Sequence, residues 1–312
     1  MLARTLLGLV VLMSGSAHAQ TASIPRTPAG KPDFQGVWES RWLTPFERPD
    51  GTTTPTVSGE DAKKLEADLR TKLVTGESAL HPEDDYDFTG LLPAPDGAYR
   101  TSLIIEPADG KRARTQLAKD FSAAVRKRSQ QLYDPEDFTA DTRCLAASGR
   151  APLSVTPGSM FRQIVQTPDQ FVIYTEDQMA SRIVGIGATP LPPAMLSLSG
   201  NSVGRWDGDV FVVETALIRP TAPGPDFQAF DQQRHVVERF QLISPNEVSY
   251  EYVQEDTAML SAPVRVQYAL MKTEHQIFES ACHEGNYSLS NMLRGARIAE
   301  ARPPKPKAKT KN

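Results

Sequence analysis

The chain has 312 residues, the length of one large or two ordinary domains, and 39% of them are hydrophobic, which is enough to form a core. Its formal net charge is -4 and it has no sustained basic face in its globular part, which argues against a general nucleic-acid binder. Beyond the N-terminus, no stretch has the apolar length of a transmembrane helix, so we expect no membrane insertion.

Residues 1–19 have the pattern of an export signal. Arg4 forms a short basic region, residues 6–13 are apolar but too few to span a bilayer, and Ala17 and Ala19 mark a cleavage site. We therefore expect a periplasmic or secreted protein, with one β-barrel domain over residues 20–301. The basic, Pro-rich residues 302–312 are expected to form a disordered tail.

The only two cysteines are Cys144 and Cys282. In an oxidising compartment this pair favours a disulfide, and the alternative is two buried free thiols.

Residues 34–38 open the first strand. The Gly36-x-Trp38 pattern within it resembles the signature of lipocalin-type barrels, in which the tryptophan fills the closed end. The alternative is a core tryptophan on any first strand.

Two amphipathic helices are predicted outside the strands. Ser58 and Asp61 resemble a capping box, and apolar residues then recur at helical spacing over residues 59–74. Thr115 is expected to cap a second helix, over about residues 115–133. Both carry charges on one face, so we expect them to flank the barrel.

From residue 161 onward the chain reads as strands joined by short turns, such as the Asp207-Gly208 hairpin turn. The predicted strands are residues 161–167, 171–176, 182–187, 202–206, 210–217, 235–243, 248–255, 264–271 and 276–283. The fold class that follows is mainly β: an antiparallel meander closed into a lipocalin-like barrel with two flanking α-helices.

Because side chains alternate across a strand, parity assigns residues to faces. Glu214 and Glu238 each fall among apolar residues, which predicts that both point into the barrel. A buried carboxylate is costly unless it is paired. Either these two are structural ion-pair partners, for example of Arg162, Arg182 or Arg205, or they are functional acids.

The segment 282–287 concentrates polar chemistry after the last predicted strand. His283 and Glu284 could act as acid and base, or the segment could be a structural knot that anchors the C-terminus. We find no nucleophile elbow, phosphate loop or zinc-protease motif. The sequence assigns no metal site, identifies no cofactor and does not fix the oligomeric state.

Several blocks together resemble a large family of exported bacterial proteins whose activity is unassigned. The clearest of them are the Gly36-x-Trp38 block, residues 204–209 (GRWDGD), residues 235–240 (HVVERF) and residues 282–287 (CHEGNY). The resemblance implies one β domain and offers no reaction.

Three functions remain open from the sequence. The first is an exported lipocalin-like protein that binds a small, partly apolar ligand inside the barrel. The second is a barrel enzyme, such as a hydratase, lyase or isomerase, with Glu238 and His283 as acid and base. The third is a structural envelope protein. The predicted ligand-binding residues are Glu214, Glu238, Tyr250, Tyr252, Arg205, His235, Glu284, Asn286 and Tyr287.

Overall fold

The computed structural model describes residues 23–75, 88–128, 133–138, 142–144, 150–155, 161–176, 180–218, 234–279 and 281–301. The predicted export signal and the basic tail lie outside these residues. Within the described ranges, no helix combines the length and the apolar character needed to cross a membrane.

Strands make up most of the regular structure in these ranges. In chain order they are β1 (Gly36–Glu39), β2 (Thr56–Val57), β3 (Tyr99–Arg100), β4 (Ile104–Glu106), β5 (Phe161–Gln166), β6 (Gln170–Thr175), β7 (Ala180–Ile186), β8 (Asn201–Asp207), β9 (Val210–Ala216), β10 (His235–Ser244), β11 (Glu247–Glu255) and β12 (Val264–Thr273).

Nine of these strands close into a barrel. Their order is β1 and then β5 through β12, and β1 pairs with both β5 and β12, so the sheet returns to its first strand. All neighbours are antiparallel except β7 and β8, which run parallel. The predicted fold class, a mainly β barrel with flanking helices, is confirmed.

The predicted strand at residues 276–283 is wrong. Strand β12 continues to Thr273, where it lies opposite Val37 and closes the barrel, so no further strand is needed. The chain then enters two helices, α3 (Cys282–Gly285) and α4 (Tyr287–Glu300). In α4, Leu289, Leu293 and Ala296 stand at helical spacing, a pattern in the sequence that indicates this helix.

The two predicted helices are present as α1 (Gly59–Val74) and α2 (Gln116–Arg128). Thr115 caps α2, since its hydroxyl accepts a hydrogen bond of 3.1 Å from the Ala118 amide. The predicted capping box of α1 is absent, because the Ser58 side chain makes no capping hydrogen bond.

Alternation along the strands builds the core. In β10, Val236, Glu238, Phe240 and Leu242 are buried. Trp38 is fully buried in the same core and donates a 2.8 Å hydrogen bond to the Phe34 carbonyl. Large aromatic side chains from several strands pack on one another and fill this core.

A second, smaller layer lies beside the barrel. Strand β4 pairs with the first half of β12, where Ile104 lies opposite Val266. Strands β2 and β3 form a separate two-stranded ribbon, and Arg100 of β3 donates hydrogen bonds to Gln267 of β12 and to the Leu103 carbonyl beside β4. The ribbon is therefore attached to this edge of the barrel.

The predicted disulfide is confirmed. Cys144 and Cys282 are bonded with their Cα atoms 5.8 Å apart, across 138 residues of sequence. The bond ties the short described segment 142–144 to helix α3.

Candidate functional site

Glu238 points into the barrel, as parity predicts, and it is completely buried. Its carboxylate accepts two hydrogen bonds from Arg182, at 2.6 and 2.8 Å, and a third of 2.7 Å from the Tyr250 hydroxyl. This is the structural-pair alternative, with Arg182 as the partner.

The ion pair crosses the barrel interior. Arg182 lies on β7 and Glu238 on β10, and two strands separate them in the sheet order. Burial lowers the pKa of Arg182, but the charge of Glu238 and the hydrogen bonds between them outweigh burial and raise it. Arg182 is therefore held in its charged form, and its two hydrogen bonds to Glu238 join two strands of the barrel wall that are not neighbours.

A segment of the chain itself occupies the interior beside this pair. We call residues 150–155 the inner segment. Its Leu153 is buried, the Leu153 amide donates a 2.9 Å hydrogen bond to the Tyr250 hydroxyl, and the Leu153 carbonyl accepts one of 2.9 Å from Tyr268. Arg162 of β5 donates to the Ser154 carbonyl. Of the interior groups that were expected to bind a ligand, Tyr250 thus binds the protein's own backbone, and Glu238 binds Arg182 and Tyr250.

Three interior tyrosines have a raised pKa. Burial is the main cause for Tyr250, Tyr252 and Tyr268, and the nearby charge of Glu238 adds to it. Their hydroxyls are therefore hydrogen-bonding groups at neutral pH and not acids.

Glu214 does not point inward, so that prediction is wrong. On β9 the inward positions belong to Phe211, Val213 and Thr215, which are fully buried, while the Glu214 side chain is 53% exposed. The parity argument failed because two apolar residues, Val212 and Ala216, share the outer face with Glu214, and Val212 is buried there. Any role of Glu214 in binding a ligand stays a prediction.

Glu214 instead joins His235 and Arg205 on the outer face. The His235 Nε2 atom lies 2.9 Å from the Glu214 carboxylate, and Arg205 lies 3.9 Å from it. A His–Glu pair can move protons, but side chains this exposed are also typical of ordinary surface ion pairs.

This outer cluster borders a cleft of about 230 Å³ over strands β8 and β9. Its walls are mainly apolar, and Arg205 and Glu214 supply its charges. Leu217, at its end, has a positive φ of 58°, a conformation that costs energy for a residue other than glycine. We call this the outer cleft.

The C-terminal set lies elsewhere again. His283, Glu284 and Tyr287 are exposed on α3 and α4. The Asn286 side chain accepts from the Leu289 amide as the cap of α4 and donates to the Thr142 carbonyl. These contacts and the disulfide anchor the C-terminal helices, whereas the acid and base roles of His283 and Glu284 stay predictions.

The predicted residues thus fall in three separate places: the interior, the outer face and the C-terminal helices. Glu238 and His283, expected as a catalytic pair, do not meet, because one is sealed inside the barrel and the other is exposed on α3. No group of three or more His, Cys, Asp or Glu residues within the described ranges is arranged to hold a metal ion.

A fourth place was missed by sequence reasoning. A groove of about 390 Å³ lies between strand β4 and the β2–β3 ribbon, and we call it the edge groove. Its apolar walls are formed by Pro55, Ala94, Pro95, Ile104, Ile105 and Ala108. Its charged groups are two arginines, Arg48 and Arg100, both more than nine-tenths buried. They stand far apart in sequence and outside any strong periodic pattern, so only the fold brings them together.

Comparisons with known proteins give no identity. No protein-family model matches the chain, and no curated protein and no solved structure matches it.

Proposed function

We propose that this is an exported barrel protein that binds a small, partly apolar ligand in the edge groove. The observation that carries the proposal is the groove itself, whose 390 Å³ falls within the range of about 300–1,000 Å³ typical of small-molecule sites. Its walls are mainly apolar and its charged groups are two arginines, the usual composition of such a site.

The barrel interior supports this role less well than the sequence suggested. Glu238 and Tyr250 have their hydrogen bonds committed to Arg182 and to the inner segment. A ligand that entered there would have to replace those bonds and displace Leu153 from the core. A ligand can enter the edge groove without displacing any of these groups.

Export is part of the proposal. The disulfide between Cys144 and Cys282 supports it, since such bonds persist in oxidising compartments. Cell fractionation followed by mass measurement tests it. We expect periplasmic or secreted protein that begins after Ala19 and is two hydrogen atoms lighter than its reduced form. Unprocessed, reduced protein in the cytoplasm would contradict export.

The binding role is tested by filling the groove. Ala108 is exposed on the groove wall, so Ala108→Trp should occupy the space without disturbing the core. A matched control is Ala299→Trp, on the exposed side of α4. Thermal-shift assays with a panel of eight-carbon compounds, namely octanoate, octanamide, octanol and octyl phosphate, measure binding.

We expect at least one member of the panel to raise the Tm of the wild-type protein and of Ala299→Trp, and to lose this effect in Ala108→Trp. If no compound raises the wild-type Tm, or if Ala108→Trp responds as the wild type does, the proposed site is wrong.

A further inference from the structure

We infer that the ligand of the edge groove is an organic carboxylate with an apolar body, and that Arg48 and Arg100 bind its charged end. The inference rests on the proposed function and goes further by assigning the chemical class of the ligand. Four observations support it: the bonding of each arginine, the absence of a counter-charge, the local packing and the apolar walls.

Arg48 is held in place but only partly used. Its side chain is buried, with the residue 4% exposed. Its Nε donates a 3.1 Å hydrogen bond to the Thr101 hydroxyl, and one terminal nitrogen donates 3.3 Å to the Thr53 carbonyl. A guanidinium has five N–H donors. Donors of Arg48 therefore remain for a ligand in the groove that it lines.

Arg100 has the same character. The residue is 9% exposed, and its hydrogen bonds go to the Gln267 carbonyl, the Gln267 side-chain oxygen and the Leu103 carbonyl, at 3.2, 3.3 and 3.2 Å. All of these acceptors are neutral. They orient the guanidinium on the groove wall without neutralising its charge.

The missing partner is a carboxylate. Among the residues that the structure describes, none places a carboxylate oxygen within 4.0 Å of Arg48 or Arg100. Burial lowers the pKa of Arg100, and Glu251 opposes this only through space while it is itself paired with Arg265 at 3.3 Å. Two buried cations without a counter-ion are costly to keep, which is typical of a binding site for an anion.

The backbone of Gly110 packs closely against the Arg48 side chain. Gly110 has a positive φ of 69°, and a Cβ atom there would lie 2.6 Å from the Ser102 hydroxyl and 3.1 Å from the Arg48 Nε. Only glycine fits this turn and leaves Arg48 in place. The Gly110 carbonyl also accepts a 3.0 Å hydrogen bond from the Arg48 amide. Arg48 is thus positioned by the fold and is not a mobile surface side chain.

The ligand class follows from these groups together. The planar fork of an arginine matches the two oxygens of a carboxylate, so each guanidinium can form paired, charge-assisted hydrogen bonds. The apolar walls, including Ile104 and Ile105, accommodate a hydrocarbon body but offer it no polar contacts. A carboxylate with an aliphatic tail satisfies both halves of the groove.

Isothermal titration of the full chain with octanoate, octanamide and octyl phosphate tests the inference. The amide has the shape of the carboxylate without its charge. Because a hydrogen bond to a charged group is worth more than a neutral one, we expect octanoate to bind at least about tenfold more tightly than octanamide. We also expect it to bind more tightly than octyl phosphate.

Variants then locate the charge effect. Arg48→Gln and Arg100→Gln should each weaken octanoate binding about tenfold or more while octanamide binding changes little. Arg239→Gln, which removes an exposed arginine of the outer face, is the charge-matched control and should leave octanoate binding unchanged. Circular dichroism confirms that each variant is folded. If an arginine-to-glutamine variant does not fold, Arg48→Lys and Arg100→Lys replace it, and they should weaken octanoate binding more than Arg239→Lys does.

The outcomes separate the two proposals. If octanamide binds as tightly as octanoate, the anion assignment is wrong while the binding function stands. If octyl phosphate binds more tightly than octanoate, the assignment to carboxylates is wrong. If none of the compounds binds to the wild-type protein, the proposed function and this inference fail together. The wild-type comparison decides these cases without any variant.

Discussion

The barrel interior and the edge groove both contain buried arginines, but of Arg182, Arg48 and Arg100 only the interior arginine Arg182 has a carboxylate partner in the described part of the protein. Inside the barrel, Arg182 shares two short hydrogen bonds with Glu238, and Tyr250 completes the set. In the groove, Arg48 and Arg100 meet only neutral oxygens. In the first arrangement the arginine charge is neutralised by a carboxylate of the protein. In the second arrangement it is left for a ligand to neutralise.

This difference separates a charge that serves the structure from a charge that is open to a ligand. A buried charge that is fully paired contributes to the specificity of the fold, and removing one partner exposes the cost of burying the other. A buried charge that is unpaired at the wall of a groove destabilises the free protein. A ligand of opposite charge reduces this cost when it binds.

The largest effect concerns the interior at high pH. Burial raises the pKa of Tyr250, Tyr252 and Tyr268 above the ordinary value of 10.0. Above pH 10 the unfolded chain releases these protons while the folded chain keeps them, so the unfolded state binds fewer protons and stability falls as pH rises. For three groups the slope is about 4 kcal/mol per pH unit.

Absorbance titration of the phenolic groups, followed together with circular dichroism, measures this. We expect the three buried tyrosines to ionise only when the barrel unfolds. If all eight tyrosines of the chain titrate near pH 10 with the fold intact, the interior is open to solvent. The proposed difference between a closed interior and an open edge groove would then be wrong.

The next effect compares two carboxylates on neighbouring strands. Glu238→Gln leaves Arg182 buried without its counter-ion, so we expect a loss of about 3–5 kcal/mol in the free energy of unfolding. Glu214→Gln on the outer face is the matched control and should cost about 1 kcal/mol or less. Urea denaturation measures both. Equal, small losses would show that the buried pair contributes little.

A smaller effect concerns the inner segment. Tyr268→Phe removes the hydroxyl that donates to the Leu153 carbonyl, which leaves a buried acceptor without that bond. We expect a loss of about 1–3 kcal/mol. Hydrogen exchange of the Leu153 amide should speed up in the variant, since that amide is bound to Tyr250 on the same segment. An unchanged exchange rate would mean that the two tyrosines do not jointly hold the segment.

The smallest effect on stability is expected in the groove. Arg100→Gln loses hydrogen bonds to neutral acceptors but also removes a buried, unpaired charge. The two terms oppose each other, so the free energy of unfolding should change by about 1 kcal/mol or less. Arg182→Gln, its interior counterpart, should cost about 3–5 kcal/mol. If the two variants lose the same stability in urea, Arg100 is as structural as Arg182.

The barrel was predictable because alternation and turn chemistry are local signals. Strand β10 alternates cleanly, and the Asp207-Gly208 turn fixes the pairing of β8 with β9. Face assignment was less secure. Glu238 was placed correctly and Glu214 was not, because Val212 is buried on the outer face and made the wrong set of β9 look like the inner one.

The candidate site could not be predicted from the sequence for a different reason. Arg48 and Arg100 lie in short or irregular elements, and nothing in their neighbours indicates that they are buried. Their placement depends on β4 and the β2–β3 ribbon attaching to the barrel edge, which is a tertiary event. The position of the inner segment could not be predicted for the same reason. Leu153 is held by Tyr250 and Tyr268, which are distant from it in sequence.

A crystal structure of the protein grown with octanoate tests the central claim most directly. The account predicts the carboxylate within hydrogen-bonding distance of Arg48 and Arg100, the aliphatic chain against Ile104 and Ile105, and an unchanged pair of Arg182 with Glu238. Octanoate bound inside the barrel, with the inner segment displaced from Tyr250, would contradict it.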